Sequence, residues 1–312
     1  MKSSVALVGG RGYVGEALLQ LLLQHPSLEL AWVSSRSLAG RSVRSVYPDL
    51  PLDLTIESVS PAEIAHREAD VIVLAMPNGI ASTYVHDMRS TQKVIDISAD
   101  YRFDDSWVYG LPEHHRDDIR QSDRISNPGC YATTVQLALA PLLNHLDGVP
   151  SAFGVSGYSG AGRTPSARND PERLAGNLLP YSLSGHVHEL EISHQLGHAV
   201  RFLPHVAEFF RGISVTISAT LSEAVDEELL HSLFQNFYAD EFLIDVTAEI
   251  PEIHNVAGTP RASIGGFSVD KRDGRRISLV ACLDNLLKGA ASQALQNINL
   301  TLGIDEYAGL RS

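Results

Sequence analysis

The residues best equipped for covalent chemistry lie in Ser126-Asn127-Pro128-Gly129-Cys130-Tyr131-Ala132-Thr133-Thr134. Pro128 and Gly129 cannot continue regular structure, so they turn the chain sharply after the strand-like Asp123-Arg124-Ile125. Cys130 is then left in the first turn of an apolar helix through Val135, Leu137, Leu139 and Ala140. Unpaired N–H groups and the positive end of the helix dipole favour an ionised sulfur there. Most free cysteines are merely small buried residues. The turn, the helix start and the following threonines set Cys130 apart as a nucleophile, whereas Cys282, after Ser278-Leu279-Val280-Ala281, reads as a buried strand residue without chemistry.

A second constellation is Ser184-Gly185-His186-Val187-His188-Glu189-Leu190-Glu191. Its histidines share one face if the segment is extended. An imidazole can exchange a proton with a thiol, polarise a carbonyl or hold an anion as imidazolium. No Cys-x-x-Cys or HExxH set accompanies the pair, so no metal is expected. His205, in Leu203-Pro204-His205, reads as structural.

The third is Gly9-Gly10-Arg11-Gly12-Tyr13-Val14-Gly15, placed between the strand Val5-Ala6-Leu7-Val8 and a helix from Ala17 to Leu23. Strand, glycine loop and helix in this order suit a dinucleotide pyrophosphate, with Gly9, Gly12 and Gly15 allowing close backbone approach. After the second strand, Leu28 to Val33, comes Ser34-Ser35-Arg36-Ser37, where an NAD-selective site would carry an acid. Two hydroxyls and a guanidinium suit a 2′-phosphate instead, so NADP(H) is the expected cofactor. Near the C-terminus Asn285 is expected to start the last helix, either as a simple cap or as an amide for the nicotinamide carboxamide.

The elements that position these residues form two patterns. Strand-like runs at 52–56, 71–75 and 94–97 alternate with helix-compatible segments at 61–68 and 81–89, which predicts a doubly wound parallel sheet. Met76-Pro77-Asn78-Gly79 and Ser98-Ala99-Asp100-Tyr101-Arg102 fall at strand ends, where such folds bind ligands. From Ala152 the sequence turns glycine- and serine-rich. Later strands at 212–220, 242–246 and 277–282, with a helix at 226–239, predict a second, largely antiparallel sheet. A net charge of −13 without a Lys/Arg stripe excludes a nucleic-acid surface and points to a small-molecule partner. No apolar run is long enough for a membrane span, and two cysteines make no disulfide framework, so the cytoplasm is the expected compartment.

In combination, GGRGYVG at 9–15, MPNG at 76–79, SNPGCYAT at 126–133, SGYSGAG at 156–162, PHV at 204–206 with RGI at 211–213, and DNLLKGAA at 284–291 make the chain resemble N-acetyl-gamma-glutamyl-phosphate reductases over nearly its full length. These are NADPH-dependent enzymes of arginine biosynthesis. The resemblance implies an α/β chain: a Rossmann-like dinucleotide-binding domain at 1–129, rejoined by a C-terminal helix at 285–312, and an α+β catalytic and oligomerisation domain at 130–284. It implies a homo-oligomer, dimer or tetramer. Gly9, Gly12, Tyr13, Val14, Gly15, Ser34, Ser35, Arg36, Pro77, Gly160 and Asn285 would bind the cofactor. Ser159, Arg163, Glu191 and Arg211 would bind the substrate.

The implied reaction is attack of the Cys130 thiolate on an acyl phosphate, release of phosphate, and hydride reduction of the thioester to a semialdehyde. One histidine of the pair is the expected acid/base, with His188 preferred over His186, which could instead hold a substrate carboxylate, and the Cys130 N–H with the Asn127 side chain could serve as oxyanion donors. The family's usual His-Arg-His-x-Pro-Glu reads His186-Val187-His188-Glu189-Leu190-Glu191 here. Val187 replaces the Arg, so a substrate-facing cation would have to come from Arg163 or Arg211. Glu208 also stands where a proline is common. Three alternatives compete: a reductase of carrier-bound aminoadipyl phosphate, disfavoured by 24 basic against 37 acidic residues; an aspartate-semialdehyde dehydrogenase, whose nucleophile motif differs; and a non-catalytic NADP-binding regulator, which would not use a helix-start thiol.

Overall fold

The structure, a computed structural model, describes residues 2–311. Two compact units form, Met1–Gly129 with Ala290–Ser312, and Cys130–Gly289. The expected ranges placed the second boundary five residues earlier, after 284, and their outermost residues, Met1 and Ser312, lie outside the described residues. The observed boundary falls within a π-helical turn, Leu287–Ala291.

In the first unit β1 (Ser3–Val8), β2 (Leu28–Ser34), β3 (Val71–Leu74), β4 (Lys93–Asp96), β5 (Val108–Tyr109) and β6 (Arg124–Ser126) form one sheet in the order β2-β1-β3-β4-β6-β5. Every pairing is parallel. Val71-Ile72-Val73-Leu74 is buried throughout, as a strand covered on both faces requires. The chain runs from β1 outward to β2 and then back across to β3 on the other side of β1. That reversal puts a crevice beyond the carboxyl ends of β1 and β3. The strand expected at 52–56 makes only isolated bridges, Ser42 with Thr55 and Ser34 with Glu57. Its backbone groups pair with a loop instead, Ile56 donating to the Arg41 carbonyl and the Leu54 carbonyl accepting from Val43, both at 2.8 Å. The helices expected at 61–68 and 81–89 shorten to Pro61–Ile64 and Ala81–Asp87.

The last helix, Ser292–Thr301, is buried on every side despite Ser292, Gln293, Gln296, Asn297, Asn299 and Thr301. Its amides are used as struts. Gln293 and Asn297 both donate to the Gly110 carbonyl at 2.9 Å, and Asn299 donates to the carbonyls of Glu306 and Ala308 at 3.0 Å. Arg116 closes the same corner with an ion pair to Glu306 at 2.7 Å. Asn285 does not start this helix as expected, because the π-helical turn intervenes.

The second unit holds β7 (Ser151–Gly157), β8 (Leu178–Pro180), β9 (Arg201–Ala207), β10 (Ile213–Thr220), β11 (Ile244–Val246), β12 (Ala262–Val269) and β13 (Arg276–Leu283), ordered β11-β12-β13-β10-β7-β9-β8. The sheet is mixed: β11 with β12 and β7 with β9 are parallel, and the other four pairings antiparallel. The helix Cys130–Leu139 packs on one face, over β10 and β13. Gly154 of β7 has no side chain because a Cβ there would stand 2.6 Å from the Tyr131 ring. The alternate residue Phe153 points the other way and is 39% exposed, so the opposite face keeps an uncovered aromatic.

Candidate active site

The first unit's glycine loop is shaped by contacts that tolerate no side chain. Gly9 has φ +96°, and a Cβ there would meet the Ala75 carbonyl oxygen at 2.2 Å. At Gly10 a Cβ would lie 2.6 Å from Val33, while the Tyr47 hydroxyl donates to the Gly10 carbonyl at 2.6 Å. Gly15 presses on Gly10, with only 3.1 Å left for a Cβ. Gly12 differs, since open space surrounds its Cβ position and it caps the helix Tyr13–Gln24 without a side-chain bond. No side chain at position 12 obstructs the start of that helix, which fits a pyrophosphate.

The two loops expected to wall the crevice are tied together. Gly79 and Ala81 donate backbone N–H bonds to the Asp100 carboxylate at 2.6 and 2.9 Å, and Ala99 donates to the Asn78 side chain at 3.0 Å. Of the residues expected to read a 2′-phosphate, Arg36 is exposed, whereas Ser34 is buried and its hydroxyl accepts from the Val59 N–H at 3.0 Å. Ser35 is buried too, its N–H bonded to the Glu57 carbonyl. Arg36 is thus the accessible member of the three.

In the second unit Cys130 is the first residue of the helix Cys130–Leu139, with a half-buried thiol. Every later residue of that helix is buried, so its dipole acts in a low-dielectric setting. Gly289 presses against the cysteine, leaving 2.7 Å between a Cβ there and that of Cys130. Cys282 is wholly buried; its thiol donates to the Pro251 carbonyl, and burial pushes its pKa up.

Residues 4–122 match the model of the semialdehyde dehydrogenase NAD binding domain, and residues 130–285 that of the semialdehyde dehydrogenase dimerisation domain. An N-acetyl-gamma-glutamyl-phosphate reductase of Stenotrophomonas maltophilia is 48% identical over 98% of either chain. The chain belongs to the N-acetyl-gamma-glutamyl-phosphate reductase family. The mitochondrial protein arg-6 of Neurospora crassa is also 48% identical over 98% of this chain, which spans only 36% of that longer protein. Among solved structures, aspartate semialdehyde dehydrogenase II of Vibrio cholerae shares the fold, at TM-score 0.78 and 18% identity over 97% of this chain and 99% of that one. The Candida albicans aspartate semialdehyde dehydrogenase, solved with NADP, superimposes at TM-score 0.75 and 17% identity over 99% of each chain. Among the described residues no helix is long and apolar enough to cross a membrane.

The histidine pair departs from its expected geometry. His186 is the N-cap of the helix Val187–Leu196, its Nδ1 accepting the His188 N–H at 3.1 Å, and His188 sits in that helix's first turn. The rings still meet, with centroids 4.9 Å apart, because a cap and its second helical neighbour lie close together. His188 also stacks edge-on with Tyr131 at 6.1 Å, next to Cys130 in the chain. Burial, aided by the charge of Arg168, pulls the His186 pKa down to about 4. His186 is therefore neutral at physiological pH and does not offer the imidazolium expected for a substrate carboxylate.

Several expected site residues are engaged in holding the scaffold. The Asn285 side chain accepts the Gly212 N–H at 2.7 Å and donates to the Ser159 hydroxyl at 2.9 Å, joining three motifs that lie far apart in sequence. Gly160 lies beside them, with 3.7 Å between a Cβ there and the Asn285 amide. Arg211 pairs with the buried Asp284, which also receives N–H bonds from Gly258, Leu286 and Leu287. Asn127 donates to the Ala290 carbonyl and accepts from Asn297 within the first unit, so its amide clamps the turn before Cys130. Glu191 is wholly buried and Arg163 exposed. Sequence reasoning missed Tyr181 and Arg168. Burial, then the charge of Cys130, pushes the Tyr181 pKa up to about 12. Both residues come from an aperiodic polar stretch, and neither carries a motif that marks it.

Proposed function

We propose that this protein reduces N-acetyl-gamma-glutamyl phosphate to N-acetyl-glutamate semialdehyde with NADPH, releasing phosphate, as a step of arginine biosynthesis. The observation that carries the reading is the helix-start thiol of Cys130, whose chain neighbour Tyr131 meets the His188 imidazole, in a chain whose reductase relatives match it from end to end.

Cys130 is the nucleophile. Its sulfur attacks the acyl carbon and phosphate leaves with the electrons of the acyl–oxygen bond. N–H groups of the helix start stabilise the oxyanion of each tetrahedral state. When bound, the nicotinamide cofactor supplies the hydride that reduces the thioester. His188 donates the proton that accompanies departure of the thiolate from the reduced carbon. Gly9, Gly12, Tyr13, Val14, Gly15 and Pro77 would hold the cofactor on the first unit and Arg36 would select NADP over NAD, while Gly160 and Asn285 act through the scaffold that the Asn285 amide braces. Ser159 and Arg163 are assigned to the substrate side, with Arg211, held by Asp284, and the wholly buried Glu191 behind them. Asn127 acts on the chemistry only through the position of the turn.

The chain is proposed to self-associate through the second sheet, whose outward face carries Phe153 and whose sequence matches a dimerisation domain. A thiol nucleophile must stay reduced, which favours the cytoplasm. Incubating the protein with N-acetyl-glutamate semialdehyde, phosphate and either NADP or NAD should produce absorbance of reduced cofactor, faster with NADP. Aspartate semialdehyde as the better substrate, or no turnover with either, would overturn the reading.

A further inference from the structure

Arg168 stands on an ordered loop. Asn169 accepts the Ser166 N–H at 2.7 Å and donates to the Gly162 and Thr164 carbonyls at 2.8 Å, so the loop is fixed internally while the Arg168 side chain remains exposed. Its guanidinium carbon lies 5.0 Å from the centroid of the Tyr181 ring. Tyr181 meets His186 edge-on at 5.5 Å, His186 meets His188 at 4.9 Å, and His188 meets Tyr131 beside Cys130. The ring contacts thus run unbroken from the Arg168 cation through Tyr181 and the two imidazoles to the residue that follows Cys130. The loop after Tyr181 is bent to fit, Ser182 being the non-glycine with positive φ among the described residues, at 41°.

A substrate with an acyl phosphate at one end and a free carboxylate at the other needs a cation a short chain's length from the thiol. His186 is neutral. The Glu189 carboxylate is occupied by the N–H groups of Gly185 and Phe202, at 3.0 and 2.8 Å. Arg211 is engaged by Asp284 at 2.5 Å. We propose that Arg168 holds the α-carboxylate of the substrate, with the acyl chain laid across Tyr181 toward Cys130, an inference that rests on the reductase reading above. A planar guanidinium fork suits a carboxylate, and the tyrosine face holds it in place before the substrate arrives.

The test runs the reaction from the semialdehyde side, with NADP and phosphate, on N-acetyl-glutamate semialdehyde and on its α-carboxamide. Wild type should prefer the acid. Arg168→Ala should raise KM for the acid by about 10- to 100-fold, the range expected for a lost charged hydrogen bond, and leave kcat within a few-fold. KM for the amide should not change, so discrimination between the two collapses, and Arg168→Lys should fall between. A kcat loss shared by acid and amide would mean that Arg168 merely props Tyr181, and would overturn the proposal, as would an unchanged KM. Absence of turnover by wild type would overturn the reductase reading itself.

Discussion

At the scale of single residues the thiol and the two imidazoles divide the work by environment. Cys130 and Cys282 share one functional group, yet one opens a buried helix and the other is enclosed by strands. Iodoacetamide near neutral pH should label Cys130 first and abolish turnover, while Cys282 should react only on unfolding. Peptide mass mapping reads this directly. Cys130→Ser should keep the fold and lose at least a hundredfold in kcat, because an alcohol is scarcely ionised at neutral pH. Turnover near wild type in that variant would end the thioester mechanism. The histidines differ in the same way. His186→Asn keeps a good cap, so it should melt like wild type, whereas His186→Ala loses about 0.5–2 kcal/mol. His188→Asn should lower kcat far more than it changes KM. Equal thermal stability of the two His186 variants would remove the cap from this account.

At the scale of elements, what was legible in the sequence follows from how local each signal is. The buried strands announce themselves through runs such as Val71-Ile72-Val73-Leu74, and the turn at Pro128 and Gly129 dictates a helix start at Cys130 from adjacent residues alone. Expectations failed where distant partners decide. Nothing local shows that His186 caps a helix rather than lying in a strand, since the helix depends on packing of its wholly buried Ile192 and Glu191. The Asn285 amide bonds residues 73 and 126 positions away, so its scaffold role cannot be read from spacing. The glycine loop was legible as a motif, but not in the division of labour between its glycines. Gly9→Ala places a Cβ against the Ala75 carbonyl at a positive φ, so it should lower Tm and abolish dinucleotide binding together. Gly12→Ala meets open space and should fold normally, so that any fall in its NADP affinity, by calorimetric titration, reports ligand approach alone. A shared loss of Tm in both variants would show that the loop has one structural role throughout.

At the scale of the whole molecule, one buried acid and one buried base pull stability in opposite directions over the same pH range. Asp96, at the end of β4, is wholly buried, and its carboxylate accepts from the Ser98 N–H and hydroxyl at 3.1 and 2.6 Å. Burial raises its pKa from 3.8 to about 6, with Asp100 adding to the shift and Ser98 and Arg102 opposing it. Between those values the native state holds a proton that the unfolded chain has released. Its contribution is therefore full below about pH 4 and is lost as pH rises toward 6. His186, lowered from 6.5 to about 4, has the opposite sign, because the unfolded chain takes up a proton that the native state refuses as pH falls. The two slopes offset each other in wild type. Asp96→Asn mimics the neutral acid and should be stabilised relative to wild type at pH 7 by up to about 2–3 kcal/mol, with little difference at pH 4. Urea midpoints at pH 4, 5.5 and 7 measure this; in the variant stability should climb with pH more steeply than in wild type, since the opposing slope of the acid is gone. Parallel curves for the variant and wild type would mean that Asp96 is ionised in the native fold at low pH, with Ser98 and Arg102 outweighing burial.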